Sequence, residues 1–169
     1  SGDVVVNGGI NISTAAVTKD GNGTLTINSA NTYKGGTTVS AGTLTLGNRI
    51  AIGSGTLTDN STVNVASGVT EVIIQGLAGS GTLNLTNLAT PGVAVAATVG
   101  GNDSNTTFSG VITGSGSLTK EGSGTLILSG SSANDFTGAV TISSGVIRAS
   151  KASALGTVAG GVVVQSGAA

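Results

Sequence analysis

Cysteine, histidine and tryptophan are absent from the chain, aromatic residues number three, and proline occurs once. Each absence removes a class of protein. Without cysteine there are no disulfide staples, and without histidine as well most nucleophile, base and zinc constellations are unavailable. The missing cysteines do not imply a reducing compartment, because they suit equally an exported chain that crosses membranes unfolded and unbridged. So few aromatics rule out one large aromatic core. Collagen is excluded too, since the glycines keep no every-third-residue register and proline is nearly missing. Lys and Arg number 6 against 7 for Asp and Glu, so no basic surface exists to attract nucleic acid or an anionic membrane. No run of about 18 apolar residues occurs, and no helix is expected to span a bilayer. Ser1-Gly2-Asp3 lacks the charged start and apolar stretch of a signal peptide, so the chain is expected to be mature or excised from something longer.

What is present is small and repetitive. Thirty glycines accompany 38% hydrophobic residues, a mixture that suits an elongated solenoid whose thin core is continued by each repeat. Short runs with a period of two recur between turn residues. They comprise Val4–Val6, Thr24–Ile27, Thr37–Val39, Thr43–Leu46, Thr56–Thr58, Val63–Val65, Val72–Ile74, Thr82–Leu85, Val93–Val95, Thr125–Leu128, Val140–Ile142, Gly145–Ile147 and Val162–Val164. In Thr43-Leu44-Thr45-Leu46 the leucines share one face and the threonines the other, as in a half-buried strand. Leu25, Leu44, Val63 and Leu83 follow at intervals of 19, 19 and 20 residues, about one coil of a β-solenoid with three short strands per coil. The chain is expected to be all-β, one domain over residues 1–169, with about eight coils in a rod on the order of 40 Å long. Its inward set is Leu25, Ile27, Val39, Leu44, Leu46, Val63, Leu83, Leu85, Leu126, Leu128, Val140, Ile142 and Ile147.

Two longer stretches repeat, at 17–53 and 118–156. Val17-Thr18-Lys19-Asp20-Gly21-Asn22-Gly23-Thr24-Leu25 answers Leu118-Thr119-Lys120-Glu121-Gly122-Ser123-Gly124-Thr125-Leu126 at an offset of 101. Two extra residues then shift the offset to 103, pairing Asn31 with Asn134, Tyr33 with Phe136, Gly35 with Gly138, Gly42 with Gly145 and Gly53 with Gly156. These shared positions are expected to be structural. The glycines hold turn geometry, and the aromatics stack in the interior or at a corner rather than forming a ligand platform. Gly101–Thr107, the least apolar segment, is expected to protrude as a loop.

Both copies, together with Phe108-Ser109-Gly110-Val111-Ile112-Thr113-Gly114 before the second, resemble the autotransporter-associated β-strand repeat, also called the passenger-associated transport repeat. The resemblance implies a right-handed parallel β-helix carried on passengers of type V secretion systems and on other large bacterial surface proteins. It implies an extracellular or cell-surface location.

Parallel β-helices include polysaccharide lyases and hydrolases, so Asp3, Asp20, Asp59, Glu71, Asp103, Glu121 and Asp135 are weighed as catalytic carboxylates. Asp20 and Glu121 are equivalents about five coils apart, each after a lysine in a glycine-flanked turn, and read as solvated turn charges. Gly100-Gly101-Asn102-Asp103 occurs once and is read as a turn, because calcium-binding solenoids need a regularly repeated aspartate. No metal or cofactor is expected. Asn11, Asn22, Asn60, Asn84, Asn102 and Asn105 each open an Asn-x-Ser/Thr triplet, unavoidable where Ser and Thr abound. The pairs Thr24/Thr26, Thr43/Thr45 and Thr56/Thr58 suggest a flat hydroxyl array able to order water, but the second copy answers with Thr125/Ile127 and Val146/Arg148, which breaks it.

The reading is therefore a non-enzymatic extracellular stalk or fibre element. Val4–Val6 and Val162–Val164 carry no cap, so subunits stack end to end as a homo-oligomer or neighbouring coils continue the chain. The alternatives are a passenger fragment acting as an adhesin, with a host or surface glycan as ligand, and a polysaccharide-active enzyme. Far-ultraviolet circular dichroism should show β-structure with almost no helix; a predominantly helical spectrum would end the solenoid reading.

Overall fold

The computed structural model describes residues 2–88, 93–157 and 159–169. Among them there are eighteen strands and no helix, all strand pairing within the sheets is parallel, and the strands are numbered along the chain. The first sheet stacks β1 (Val4–Val6), β3 (Thr24–Ile27), β5 (Thr43–Leu46), β7 (Thr62–Val65), β10 (Thr82–Asn87) and β13 (Val111–Thr113). The second stacks β2 (Val17–Lys19), β4 (Thr37–Val39), β6 (Thr56–Asp59), β9 (Gly76–Gly79), β12 (Thr106–Phe108), β15 (Thr125–Leu128) and β17 (Val146–Ala149). The third holds β8 (Glu71–Ile74), β11 (Ala96–Val99), β14 (Ser117–Lys120), β16 (Val140–Ile142) and β18 (Val162–Val164).

From β7 to β15 the chain visits the first, third and second sheets in turn; before β7 it alternates between the first and second, and after β14 between the third and second, and the whole is a parallel β-solenoid. The longest sheet has seven strands, so there are about seven turns rather than eight, and a stacked length on the order of 30 Å. One rung is longer than the others. Leu83 pairs with Val63, 20 residues before it, but with Ile112, 29 residues after it.

Within each rung, alternate residues point inward, and the parallel register places like on like: Leu25 beside Leu44, Leu44 beside Val63, Val63 beside Leu83. The expected inward set is buried throughout except for Leu25, which is half-buried near the β1 end. Each such side chain stabilises the fold by about 1.5–3 kcal/mol when fully buried. Tyr33 and Phe136 are completely enclosed, and Tyr33 Oη lies 2.7 Å from Thr37 Oγ1. Gly53 and Gly156 lie against them one rung on, where a Cβ would stand 2.0 Å from Tyr33 O or 2.5 Å from Phe136 O and 3.0 Å from the ring. Phe108, the third aromatic, is also fully buried.

Six strands were not visible as alternating runs: β2, β9, β11, β12, β13 and β14. Val93–Val95 is not a rung strand, because Val95 N–H donates to Leu85 O at 3.1 Å and Asn87 N–H to Val93 O at 3.1 Å; the strand begins at Ala96. Gly101–Thr107 does not protrude. Asp103 Oδ1 accepts from Ser123 N–H at 2.7 Å and Asn105 Oδ1 from Thr125 N–H at 2.8 Å, so this corner is tied to the next rung.

The two repeat copies lie on different faces. In the first, β2–β5 alternate between the second and first sheets; in the second, β14–β17 alternate between the third and second. The stretch between them holds full three-strand rungs and ends one face out of phase. The segment with Asn31 and Tyr33 therefore stands where a third-sheet strand would run, whereas that with Asn134 and Phe136 stands in place of a first-sheet strand.

Gly42 and Gly145 adopt φ of 71° and 67°, and a Cβ at either would fall 2.3 Å from the carbonyl oxygen of Gly21 or Gly122. Gly35 and Gly138 have no positive φ, but a Cβ would strike the backbone of the preceding rung at 2.5 Å (Ala15 O) and 2.2 Å (Gly116 O). Positive φ alone costs a side chain about 1 kcal/mol or more. Gly145→Val is thus expected to lower Tm by at least about 3 °C without altering surface binding; an unchanged thermal melt would show that the position tolerates a side chain.

Candidate functional site

Turns between parallel strands leave carbonyl groups that point inward, and buried carbonyls need donors. The repeat answers with side chains. Lys19 and Lys120 are 7% and 1% exposed, so the lysines of the two glycine-flanked turns are interior groups, not solvated charges. Lys19 Nζ donates to Gly21 O at 2.6 Å, Asp20 O at 3.0 Å and, one rung on, Ala41 O at 3.1 Å. Lys120 Nζ repeats the pattern toward Glu121 O, Gly122 O and Ser144 O. Burial holds the Lys120 ammonium below the ordinary lysine pKa, with the Asp103 carboxylate acting in the opposite sense. Asn31 and Asn134 do the same at the other corner. Asn31 Oδ1 accepts from Ile10 N–H at 2.5 Å while Nδ2 donates to Ala51 O at 2.6 Å; Asn134 bridges Ile112 N–H and Ala154 O at 2.9 and 2.6 Å. Each shared polar position thus joins three successive rungs or two.

The carboxylates are dispersed. Asp3 caps Thr24 N–H at 2.7 Å, Asp20 bonds Gly21 N–H at 2.8 Å, and Asp20, Glu121 and Asp135 lie exposed at corners. The Ser123 backbone and hydroxyl donors hold Asp103 below the usual carboxylate range. Glu71 pairs with Arg49 at 2.8 Å across a shallow groove of about 280 Å³, and that hydrogen bond keeps its pKa low. No three acidic groups converge among the described residues.

Asp59 is the exception. It is fully buried on the inward side of β6, stacked between Val39 and Gly79; Oδ1 accepts from Ser61 N–H at 3.0 Å, and Oδ2 has no partner. Burial pushes its pKa up to about 6, against the Ser61 hydrogen bond. In the sequence Asp59 follows the run Thr56–Thr58 and precedes Asn60 and Ser61, so it looks like a turn carboxylate.

Strands β3, β5, β7 and β10 carry no charged residue. Register places Thr24, Thr43, Thr62 and Thr82 in one row and Thr26, Thr45 and Asn64 in the next. Thr56/Thr58 is not part of this array; it belongs to β6 on the second sheet. Nor do Thr125/Ile127 and Val146/Arg148 interrupt it, since β15 and β17 are also on the second sheet. The long rung adds an excursion between β10 and β11, with Thr86 bridging Ala94 antiparallel and Leu88 50% exposed.

Stacked parallel rungs, closed at their corners by buried Lys19, Lys120, Asn31 and Asn134, define a parallel β-solenoid. The chain belongs to the proteins built on the passenger-associated transport repeat, whose pattern matches residues 17–46 and 118–149. It is also 36% identical, over 141 residues, to the adhesin BmaC autotransporter of Brucella suis biovar 1 (strain 1330). That alignment covers 80% of this chain and 4% of the adhesin. No solved structure matches.

Asp59 makes stability depend on pH. Its folded pKa is raised, so the native state binds the proton more tightly than the unfolded chain. The resulting stability is complete below the unfolded value of 3.8 and is lost as pH rises through about 6; it amounts to about 3 kcal/mol. Urea unfolding should show stability falling between pH 4 and 7 by an amount on this order, and Asp59→Asn should abolish the fall and exceed the wild type at pH 7. A variant weaker than wild type at pH 7 would show that the ionised carboxylate is accommodated.

Proposed function

We propose that the chain is a non-catalytic adhesion module of a bacterial surface protein. It is a stiff length of passenger that displays its outer faces to a ligand beyond the cell. The alignment with an autotransporter adhesin along most of the chain carries this reading. The architecture supports it: the polar chemistry shared by the two copies is spent inside, on the rung-to-rung bonds of Lys19, Lys120, Asn31 and Asn134. What remains for contact is surface, namely the uncharged first sheet and the excursion at Leu88. A fold shared with polysaccharide enzymes supplies no site by itself.

A second observation favours end-on stacking. At β1, Val4 and Val5 are 55% and 56% exposed, and at β18 Val162, Val163 and Val164 are about half exposed, although both strands have the backbone of an interior rung. Such edges are built to receive a further parallel strand, from more of the same polypeptide or from a second copy. Stacked copies would make a fibre, since a head-to-tail contact that does not close propagates.

Two measurements test these readings. Immobilised chain incubated with a panel of acidic and neutral polysaccharides should retain at least one of them without releasing new reducing ends; cleavage would overturn the non-catalytic reading, and retention of none would overturn glycan adhesion. Light scattering and electron microscopy at high concentration should show filaments, whereas a stable monomer would exclude stacking of copies.

A further inference from the structure

The pair Asn-Gly occurs twice in the chain, at Asn7-Gly8 and Asn22-Gly23, and the fold treats the two differently. In this pair the backbone amide of the glycine can reach the carboxamide of the asparagine, because the glycine has no Cβ in the way and wide freedom in φ and ψ. We propose that Asn22 is a site of spontaneous backbone modification, converted by that attack to isoaspartate, and that the conversion loosens the lysine-bearing corner of the first repeat copy.

The structure supplies what the attack needs at Asn22. The residue is exposed, and its carboxamide has no hydrogen-bond partner among the described residues. The Gly23 N–H, the nucleophile, also makes no hydrogen bond to a described residue. Gly21, with φ of 74°, leaves the other side of Asn22 open as well. Asn7 differs, because its Oδ1 accepts from Asn28 Nδ2 at 2.9 Å and its carboxamide is tied to the next rung. The second copy has Ser123 before Gly124, so its equivalent corner lacks the reacting group.

The Gly23 nitrogen gives its proton to solvent and bonds to Asn22 Cγ, while the Cγ–Nδ2 bond breaks and ammonia leaves. The product is a five-membered succinimide. Water then opens one of its two carbonyls: opening at Cγ leaves aspartate, and opening at the main-chain carbonyl leaves isoaspartate, with the chain running through Cβ. Water has replaced ammonia, and nothing is oxidised or reduced. Isoaspartate lengthens the main chain by one C–C bond, about 1.5 Å, in a corner that has no slack. Gly21 O and Gly23 O converge on Gly42 of the next rung, 2.3 and 2.5 Å from where its Cβ would stand. Gly23 O accepts from Thr43 N–H at 3.2 Å, and Asp20 O and Gly21 O hold Lys19 Nζ at 3.0 and 2.6 Å. Moving these carbonyls leaves a buried ammonium with fewer acceptors, which is costly. The inference is independent of the adhesion reading, since the reaction needs only water.

The purified chain, incubated at mildly alkaline pH both folded and unfolded in urea, tests it by peptide mass spectrometry with isoaspartyl methyltransferase labelling. In urea, Asn7 and Asn22 should convert at similar rates; in the folded chain Asn22 should convert several-fold faster than Asn7. The fraction carrying isoaspartate at residue 22 should melt below the fresh protein. Asn22→Asp, which gains the charge without the extra methylene, should melt with the wild type, and Asn22→Ser, which copies the second repeat, should form no isoaspartate in this corner. An intact Asn22 in the folded chain once the unfolded chain has converted, conversion of Asn7 as fast as Asn22 in the folded chain, or an isoaspartate form that melts with the wild type would each overturn the inference.

Discussion

The parallel backbone ladder is the constraint on which the rest of the structure depends. Strands about 4.8 Å apart set every side chain directly on its counterpart in the next rung, so a position tolerates only residues that can stack on what lies above and below. Leu25, Leu44, Val63, Leu83 and Ile112 satisfy this on the inward side of the first sheet. Glycine satisfies it where a corner brings two rungs closer than a Cβ allows, as at Gly35 and Gly138. Gly53 and Gly156 are needed in the turn after Tyr33 and Phe136, because a Cβ there would meet the carbonyl oxygen of each aromatic residue at 2.0 and 2.5 Å.

Corners interrupt the ladder, and the chain repairs the interruption with side chains. The lysine ammonium and the asparagine carboxamide are long enough to span a rung and carry several donors each, and they are placed where carbonyls lack backbone partners. Such groups are costly to bury and costly to remove, since each deletion leaves buried polar atoms unpaired. Asp59 lacks this complement, with one oxygen bonded and the other unpartnered. It makes the middle of the solenoid the place where stability responds to acidity.

With the interior committed to stacking, the outer faces are free to differ. The offset of one face between the two repeat copies matters here, because it moves Arg148 to the second sheet and leaves the first sheet neutral. The 29-residue spacing between Leu83 and Ile112 is absorbed in two connections, β10–β11 and β11–β12, and the ladder is kept on both sides, with Ala97 beside Val72 and Phe108 beside Gly79.

The sequence by itself determined the solenoid, its strand-and-turn rhythm, its repeat positions and most of its inward residues. All of these follow from local periodicity and from side chains stacked on near-identical neighbours. Tertiary structure alone decided which face each strand joins. A repeat of 101 and then 103 residues reads as whole coils along a line, yet rungs of two strands and of three consume similar lengths of chain, so phase cannot be counted from spacing. For that reason Thr56/Thr58 was assigned to the wrong array and Thr125/Ile127 was held against it. The same limit hid Lys19, Lys120 and Asp59. Polar residues beside glycines in a sequence look like turn charges, and only the closing of the coil shows which of them face the carbonyls inside.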